Sequence, residues 1–425
     1  MVHNHSLPVA EVSELPTSNI FRNFKLLQPP QMPTQDGPRG IKFDFNNGAR
    51  VFLPKGQWLV EFVDDDSGNS LFSCAADSGW VMSAQKYFLP IRIIVRESGN
   101  PAPVLVHTLS LWNKPVVIKF SPDGSLGDLI GWLTYIDRFQ KKHQCRLECA
   151  IREDVAELVS GQYPDITFSA LDGLKTSAPY ATYKIGLFYS DSEHNYQPLD
   201  FRYTGPHRAA AYMLGVDPGE ALPLLKLSAP KRIQEPYVCI ATKSTMQGKF
   251  WNNGFGWPSI ITYLRQLGYR VLCIDGEKTV GEGFIWNQFP HGAEDFTGLR
   301  PLQDRVDLLK DADFFIGLSS GLSWLAWASR VPVVLISGLT LPTTEFFTPY
   351  RVFSTLGCAG CWEDFSLKWD FDDFLFCPRH QKSDRQYECT RLITPRQVIN
   401  QINKLIDDLG LVPPVMRHKS QTAAA

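Results

Sequence analysis

The chain has 425 residues, enough for two or three domains, and it sets 42 basic side chains against 44 acidic ones for a net charge of −2. That near-balance excludes a nucleic-acid binder working through a basic surface, and 44% hydrophobic with 20% charged residues excludes whole-chain disorder. The most apolar stretch, 314–341, is broken by Ser319, Ser320, Gly321, Ser323, Arg330 and Pro332, so no segment reads as membrane-spanning.

Residues 1–40 are rich in Pro, Ser and Asn without periodicity and read as a loose arm. Glu11, Glu14, Pro8 and Pro16 stand where a secretory apolar core would lie. The expectation is a protein of a reducing cytoplasm whose nine cysteines are free thiols or metal ligands. From Ile41 the pattern turns to period two, with Ile41, Phe43 and Phe45 alternating with polar residues before the hairpin dipeptide Asn47-Gly48. Short β-like runs follow at 50–53, 58–63, 71–74, 91–95 and 104–109, so residues 41–112 predict a small antiparallel β-barrel or meander.

Residues 113–217 change to a strand–helix–strand rhythm. Val116–Phe120 is a continuous apolar-rich strand, followed by a Gly-rich loop and a helix with Leu129, Leu133, Ile136 and Phe139 on one face. Strands at 146–151, 166–169 and 183–188 complete a doubly wound α/β unit. A Pro-rich linker at 218–236 separates it from residues 237–345, where strands at 237–241, 270–274, 314–317 and 331–337 alternate with helices at 258–267, 302–310 and 321–329. Two Rossmann-like domains with a cleft between them make a GT-B-like α/β architecture. A cysteine segment (346–393) follows, and residues 394–425 form a C-terminal helix and a tail that frays after Pro413.

Four loops carry candidate chemistry. In Gly124-Ser125-Leu126-Gly127-Asp128, Asp128 lands in the first turn of a helix at the carboxyl edge of a parallel sheet. There it either complements the helix end or serves as a general base. The loop 242–251 brings Ser244, Thr245, Lys249 and Trp251 to the end of the second unit's first strand, where hydroxyls and lysines suit a diphosphate. It lacks the ending of a Walker loop. Ser320, Gly321, Leu322 and Ser323 open a helix after a buried strand, either as an anion site of backbone N–H groups or as simple capping.

The fourth is the cysteine segment. Cys358, Cys361, Cys377 and Cys389 are four of nine cysteines within a stretch where an even spread would place fewer than one. The spacing, a pair on a knuckle and two arriving later, suits a closed tetrahedral thiolate site for zinc or a single iron, with a structural role. Arg379, Lys382, Arg385 and Arg391 are at hand to offset its negative charge, and His380 is a possible replacement ligand. The remaining histidines form no pattern.

Taken with these motifs, residues 41–409 resemble the bacterial autotransporter heptosyltransferases, relatives of the lipopolysaccharide heptosyltransferases. The resemblance is carried by 124–128, by Lys249 with Trp251, by 320–323 and by the four cysteines. It implies an N-terminal β-barrel, a GT-B core and an iron-binding cysteine finger, assembled into homo-oligomers described as dodecamers. It implies inverting transfer of heptose from an ADP-heptose to serine hydroxyls of autotransporter adhesins, with 113–217 on the acceptor side and 237–345 on the nucleotide-sugar side. Asp128 would be the general base, and Lys249 with the amides of Ser320, Gly321 and Leu322 would hold the diphosphate without a catalytic metal. Arg305 is a further candidate positive charge near the donor. The chain departs from the wider heptosyltransferases in having Trp324 where His often stands, so no diphosphate contact is assigned there. Lipopolysaccharide-type transfer and a non-enzymatic nucleotide-binding scaffold are the competing readings.

Overall fold

The computed structural model describes residues 28–227 and 230–416. The expected arm up to residue 27 and the last residues of the tail lie outside them. The first unit is an eight-stranded sheet. Its parallel part runs β11 (Ile166–Ser169), β10 (Arg146–Ala150), β9 (Pro115–Phe120) and β12 (Ala181–Ile185). Almost every residue of β9 and all of β12 are buried, as expected of strands covered on both faces.

The sheet does not stop at β12. Strand β2 (Lys42–Asn46) pairs parallel with it, and β3 (Arg50–Leu53), β6 (Gly79–Met82) and a short β1 (Gln35–Asp36) add antiparallel strands. The other early strands, β4 (Trp58–Asp64), β5 (Ser70–Ala76), β7 (Ile91–Glu97) and β8 (Pro103–Thr108), form a separate antiparallel sheet in the order β5-β4-β7-β8. Thus the expected separate barrel over 41–112 is corrected: its strands are divided between the first Rossmann-like sheet and a four-stranded sheet beside it. The cause is chemical. Asp44 and Asn46, on the face expected to meet water, are fully buried. Arg50 donates twice to the Asp44 carboxylate, at 2.8 and 2.7 Å, and Thr182 Oγ1 donates to Asn46 Oδ1 at 2.6 Å. A buried carboxylate paired this way is held firmly, because losing its partner would leave an uncompensated charge. The Thr34 N–H also donates to Asp44, so residues 28–40 are tied to the sheet rather than loose.

Helices α1 (Leu126–His143), α2 (Glu153–Val159), α3 (Phe201–Thr204) and α4 (Pro206–Leu214) cover this unit. A capping box starts α1: Ser125 Oγ accepts the Asp128 N–H, and the Asp128 carboxylate accepts the Ser125 N–H. Beyond the expected apolar face, Ile130, Trp132 and Tyr135 are buried as well, because neighbours pack on several sides of this helix.

The second unit is a six-stranded parallel sheet. Its order is β17 (Glu294–Asp295), β14 (Arg270–Cys273), β13 (Tyr237–Ile240), β18 (Phe315–Leu318), β19 (Val333–Ile336) and β20 (Arg351–Val352). A small hairpin, β15 (Val280–Glu282) with β16 (Ile285–Asn287), projects from it. Helices α5 (Gly256–Gln266), α6 (Leu302–Leu309), α7 (Gly321–Ala328), α8 (Glu388–Arg391) and α9 (Pro395–Asp408) complete the unit. Residues 414–416 are not frayed, since Val415 N–H donates to Leu267 O at 3.0 Å.

The two units meet where α1 and α7 begin. A Cβ on Gly321 would lie 2.7 Å from Leu126 Cβ, and one on Gly127 would lie 2.5 Å from Trp324 Cδ1. Both glycines are therefore required for the helix starts to touch. Gly127→Ala is expected to cost about 1–3 kcal/mol through overpacking, read as a lowered Tm. Trp324→Phe in the same chain should recover part of it. An unchanged Tm in Gly127→Ala would mean that the helices part freely.

Candidate functional site

Asp128 is the third residue of α1, at the carboxyl edge of the first sheet, so its carboxylate caps the helix and also faces the cleft. Its Oδ2 accepts the Ser125 N–H at 3.0 Å. Burial pushes the Asp128 pKa up, and the Ser125 hydrogen bonds, Lys249 and His207 each pull it partly back. Lys249 arrives from the opposite unit at the end of a single 3-10 turn, Gln247–Lys249. Burial lowers its pKa, while Asp128, Glu345 and Glu363 oppose that fall. Asp128 and Lys249, from different halves, thus act electrostatically on one another.

Residues without a sequence signal surround the pair. Burial pushes the Tyr189 hydroxyl up, and Asp128 adds to the effect, which sets that phenol near the carboxylate. His207 lies in α4, 2% exposed, with Nε2 3.4 Å from Glu220 and its ring 5.1 Å from Trp324. Glu345 accepts from Thr340 Oγ1 and Arg351 and, by a short bond, from Ser319. Burial and Glu345 push Glu363 up to about 7, against hydrogen bonding from the Leu341 N–H and the charge of Lys249. Trp362 offers its ring to Lys249 Nζ at 4.8 Å. Only His207 carried a hint, being near the start of a helix opened by Gly205-Pro206; the others sit in irregular segments.

On the donor side, Ser320 is the N-cap of α7, yet its side chain makes no cap hydrogen bond. Among the described residues its buried Oγ, like that of Ser244, has no hydrogen-bond partner. Two buried, unsatisfied hydroxyls following β13 and β18 are what a polar ligand would complete. Gly321 is spent on the contact with α1, Leu322 packs against the core and Thr245 is exposed. A cleft of about 320 Å³ lies alongside, lined by Thr242, Lys243, Trp257, Asn287, Gln288 and His291. Asp275 braces its rim by accepting from the N–H groups of Thr242 and Lys243.

Three expected donor contacts are corrected. Trp251 is 4% exposed within the second unit's core, and its indole N–H donates to Ile393 O at 2.8 Å. Ser323 is fully buried, with its hydroxyl donating to Leu318 O at 2.5 Å. Arg305 is 4% exposed, and its guanidinium donates to the carbonyls of Ile274, Asp275, Gly298 and Arg300. Each has its polar group committed to backbone. Trp324 is likewise an interface side chain, packed against Gly127, His207 and Phe346.

In the cysteine segment, Cys361 shares a small cluster with Met246 and Leu339, and Cys358 packs against it. Cys358 and Cys361 Sγ lie 4.0 Å apart. Sulfurs sharing a tetrahedral ion at about 2.3 Å each would be about 3.8 Å apart. Burial pushes the Cys389 thiol up to about 12, with Cys358 and Cys377 adding to it. Arg379 donates to Cys358 Sγ at 3.7 Å and pairs with Asp364. His380 and Glu388 bring ligand atoms within 4.8 Å of Cys358 Sγ. Glu388 is already committed to Arg385 and the Cys358 N–H. Cys358, His380 and Glu388 are the group whose ligand atoms lie within reach of one ion, and with Cys361 Sγ beside Cys358 they offer donors for a divalent metal.

Paired Rossmann-like sheets with an acid and a lysine facing across the cleft are the arrangement of a nucleotide-sugar glycosyltransferase, and comparison with known proteins agrees. A family model for glycosyltransferase family 9 (heptosyltransferase) matches residues 206–362, and one for the N-terminal domain of glycosyltransferase TibC matches residues 37–99. The chain is 58% identical over 385 residues to autotransporter heptosyltransferase TibC of Escherichia coli O78:H11, covering 91% of this chain and 94% of that protein. It is 57% identical over 379 residues to autotransporter heptosyltransferase BAHTCr of Citrobacter rodentium, covering 89% and 92%. A crystal structure of dodecameric iron-containing heptosyltransferase TibC with ADP-D-beta-D-heptose superposes with a TM-score of 0.87 at 57% identity, over 90% of this chain and all of that one. A more distant relative, 39% identical and covering 89% of this chain and 88% of its own length, is the inactive autotransporter heptosyltransferase BimC of Burkholderia thailandensis. The chain belongs to the autotransporter heptosyltransferase family and is a family 9 glycosyltransferase.

Trp251→Phe tests the corrected role of that residue. It should cost about 1 kcal/mol by removing one of the two hydrogen bonds to Ile393 O, the Asn253 amide keeping the other, while affinity for ADP stays within about twofold of wild type. A large loss of ADP affinity without loss of stability would return Trp251 to the donor site.

Proposed function

We propose that this chain transfers heptose from ADP-glycero-manno-heptose to serine hydroxyls of autotransporter adhesins, with inversion at the anomeric carbon. The observation that carries the reading is the placement of Asp128 and Lys249 on opposite walls of one cleft, close enough to shift each other's ionisation. Residues 113–217 form the acceptor wall and 237–345 the nucleotide-sugar wall.

Asp128 takes the proton of the acceptor hydroxyl as its oxygen attacks the anomeric carbon. The bond from that carbon to the diphosphate breaks, and ADP leaves with the electron pair. Attack from the face opposite the leaving group inverts the centre. A base with a raised pKa is the stronger proton acceptor for this task, and the neighbouring Lys249 pulls the pKa partly back, favouring the ionised form. Lys249, the amides of Ser320, Gly321 and Leu322 at the start of α7, and the unsatisfied hydroxyls of Ser244 and Ser320 receive the charge that builds on the diphosphate. In this reading Cys358, Cys361, Cys377 and Cys389 hold one iron ion, which when bound crosslinks the finger and takes no part in the transfer. The assembly is a homo-oligomer, a dodecamer as for TibC, working in the bacterial cytoplasm; no helix among the described residues is long and apolar enough to cross a membrane.

Asp128→Asn is the direct test. Transfer should fall by about a thousandfold while ADP affinity holds. Because burial lifts the folded pKa of Asp128 above its unfolded value, ionising the acid costs stability as pH rises through that range, so the neutral variant should melt higher than wild type at pH 7. The acid limb of the wild-type pH–rate profile should lie above the ordinary carboxylate range. Full transfer by Asp128→Asn would overturn the assignment of the base. For the finger, Cys361→Ser should lower bound iron and Tm together; purified wild-type protein carrying no metal would contradict the metal site.

A further inference from the structure

The turn that carries Lys249 is held by its own backbone bonds and by Asn252 and Asn287, and it also rests on the cysteine segment. Gln247 N–H donates to Phe374 O at 2.9 Å. A Cβ on Gly248 would reach Leu339 at 3.5 Å and Phe376 O at 3.6 Å. Met246 packs in one small cluster with Leu339 and Cys361. From the other side, the Asn252 amide donates to Gln247 O, Phe250 O and Thr390 Oγ1, and Thr390 directly follows Cys389.

Trp362 directly follows Cys361, and its position is fixed on several sides. Its N–H donates to Leu339 O at 3.1 Å, and its ring lies edge-on to Trp369 at 5.0 Å and to Tyr189 at 5.9 Å. The ring then meets Lys249 Nζ at 4.8 Å. Its indole N–H has no partner among the described residues, so the contact with Lys249 belongs to the π face. A half-buried lysine with Asp128, Glu345 and Glu363 nearby has several carboxylates to turn towards. An aromatic face stabilises the ammonium from one side without occupying its N–H donors, which leaves them for phosphate oxygens.

We infer that Trp362 is a positioning residue whose ring holds Lys249 towards the donor diphosphate, so that the cysteine segment bears on donor affinity through this side chain. The inference rests on reading Lys249 as a diphosphate ligand, and the test separates the two. ADP binding to the full assembled protein would be measured by calorimetry, with metal content determined on each sample. Trp362→Phe keeps a π face and should bind within about threefold of wild type; Trp362→Leu keeps apolar bulk without it and should bind about tenfold more weakly at unchanged metal content. In a Lys249→Ala background, Trp362→Leu should add no further loss. Equal affinity for the Phe and Leu variants, or the same fold loss with and without Lys249, overturns the inference. Wild type that does not bind ADP overturns the functional reading itself. Binding that Lys249→Ala weakens and Trp362→Leu leaves alone overturns the positioning role only.

Discussion

The meeting of two helix starts, α1 from one unit and α7 from the other, sets the distances on which the cleft depends. Gly127 accepts the edge of Trp324 and Gly321 accepts Leu126, so the walls approach as closely as backbone allows. Asp128 follows Gly127 by one residue, and Ser320 precedes Gly321 by one. The chemistry is therefore indexed directly to the contact. Two helix N-termini converge there, and their unpaired N–H groups favour anionic charge in the gap. A diphosphate leaving group is the anion such a gap would serve.

Around this contact the charges form a compensated set. Asp128, Glu345 and Glu363 bear on Lys249, and Glu220 bears on His207. Burial pushes Asp128 and Lys249 towards their neutral forms, and their mutual attraction opposes that shift. The arrangement is costly to stability and suited to catalysis: a carboxylate kept charged in poor solvent holds its proton strongly once it accepts one. The cysteine finger contributes a floor to this set through the Lys249 turn, which gives a segment outside both sheets a physical route to the cleft.

Much of this was legible in the sequence because the signals are local. The Gly-rich turn that puts Asp128 in the first turn of a helix after a buried strand is a pattern a few residues long, and α1 starts there after β9. The rhythm of strands and helices gave the two sheets for the same reason. The failures have a common cause in pairing over long distance. The early strands look like a closed meander, but a hydrogen bond between residues 136 apart, Asn46 and Thr182, carries β2 into the Rossmann-like sheet. Arg305, Ser323 and Trp251 have the residue types of a donor site, and in sequence a polar group that binds ligand is indistinguishable from one bonded to a distant carbonyl. His207, Tyr189 and Trp362 reach the cleft from an unpatterned helix or from loops, where periodicity carries no information.

The central claim is that this cleft moves a heptose onto a protein hydroxyl. The most direct measurement is the intact mass of an autotransporter passenger fragment produced with and without this chain in cells that make ADP-heptose. The account predicts heptose-sized mass increments, mapping to serine residues, only when the chain is present. An unmodified passenger beside enzyme that is soluble, metal-loaded and able to bind ADP would contradict it.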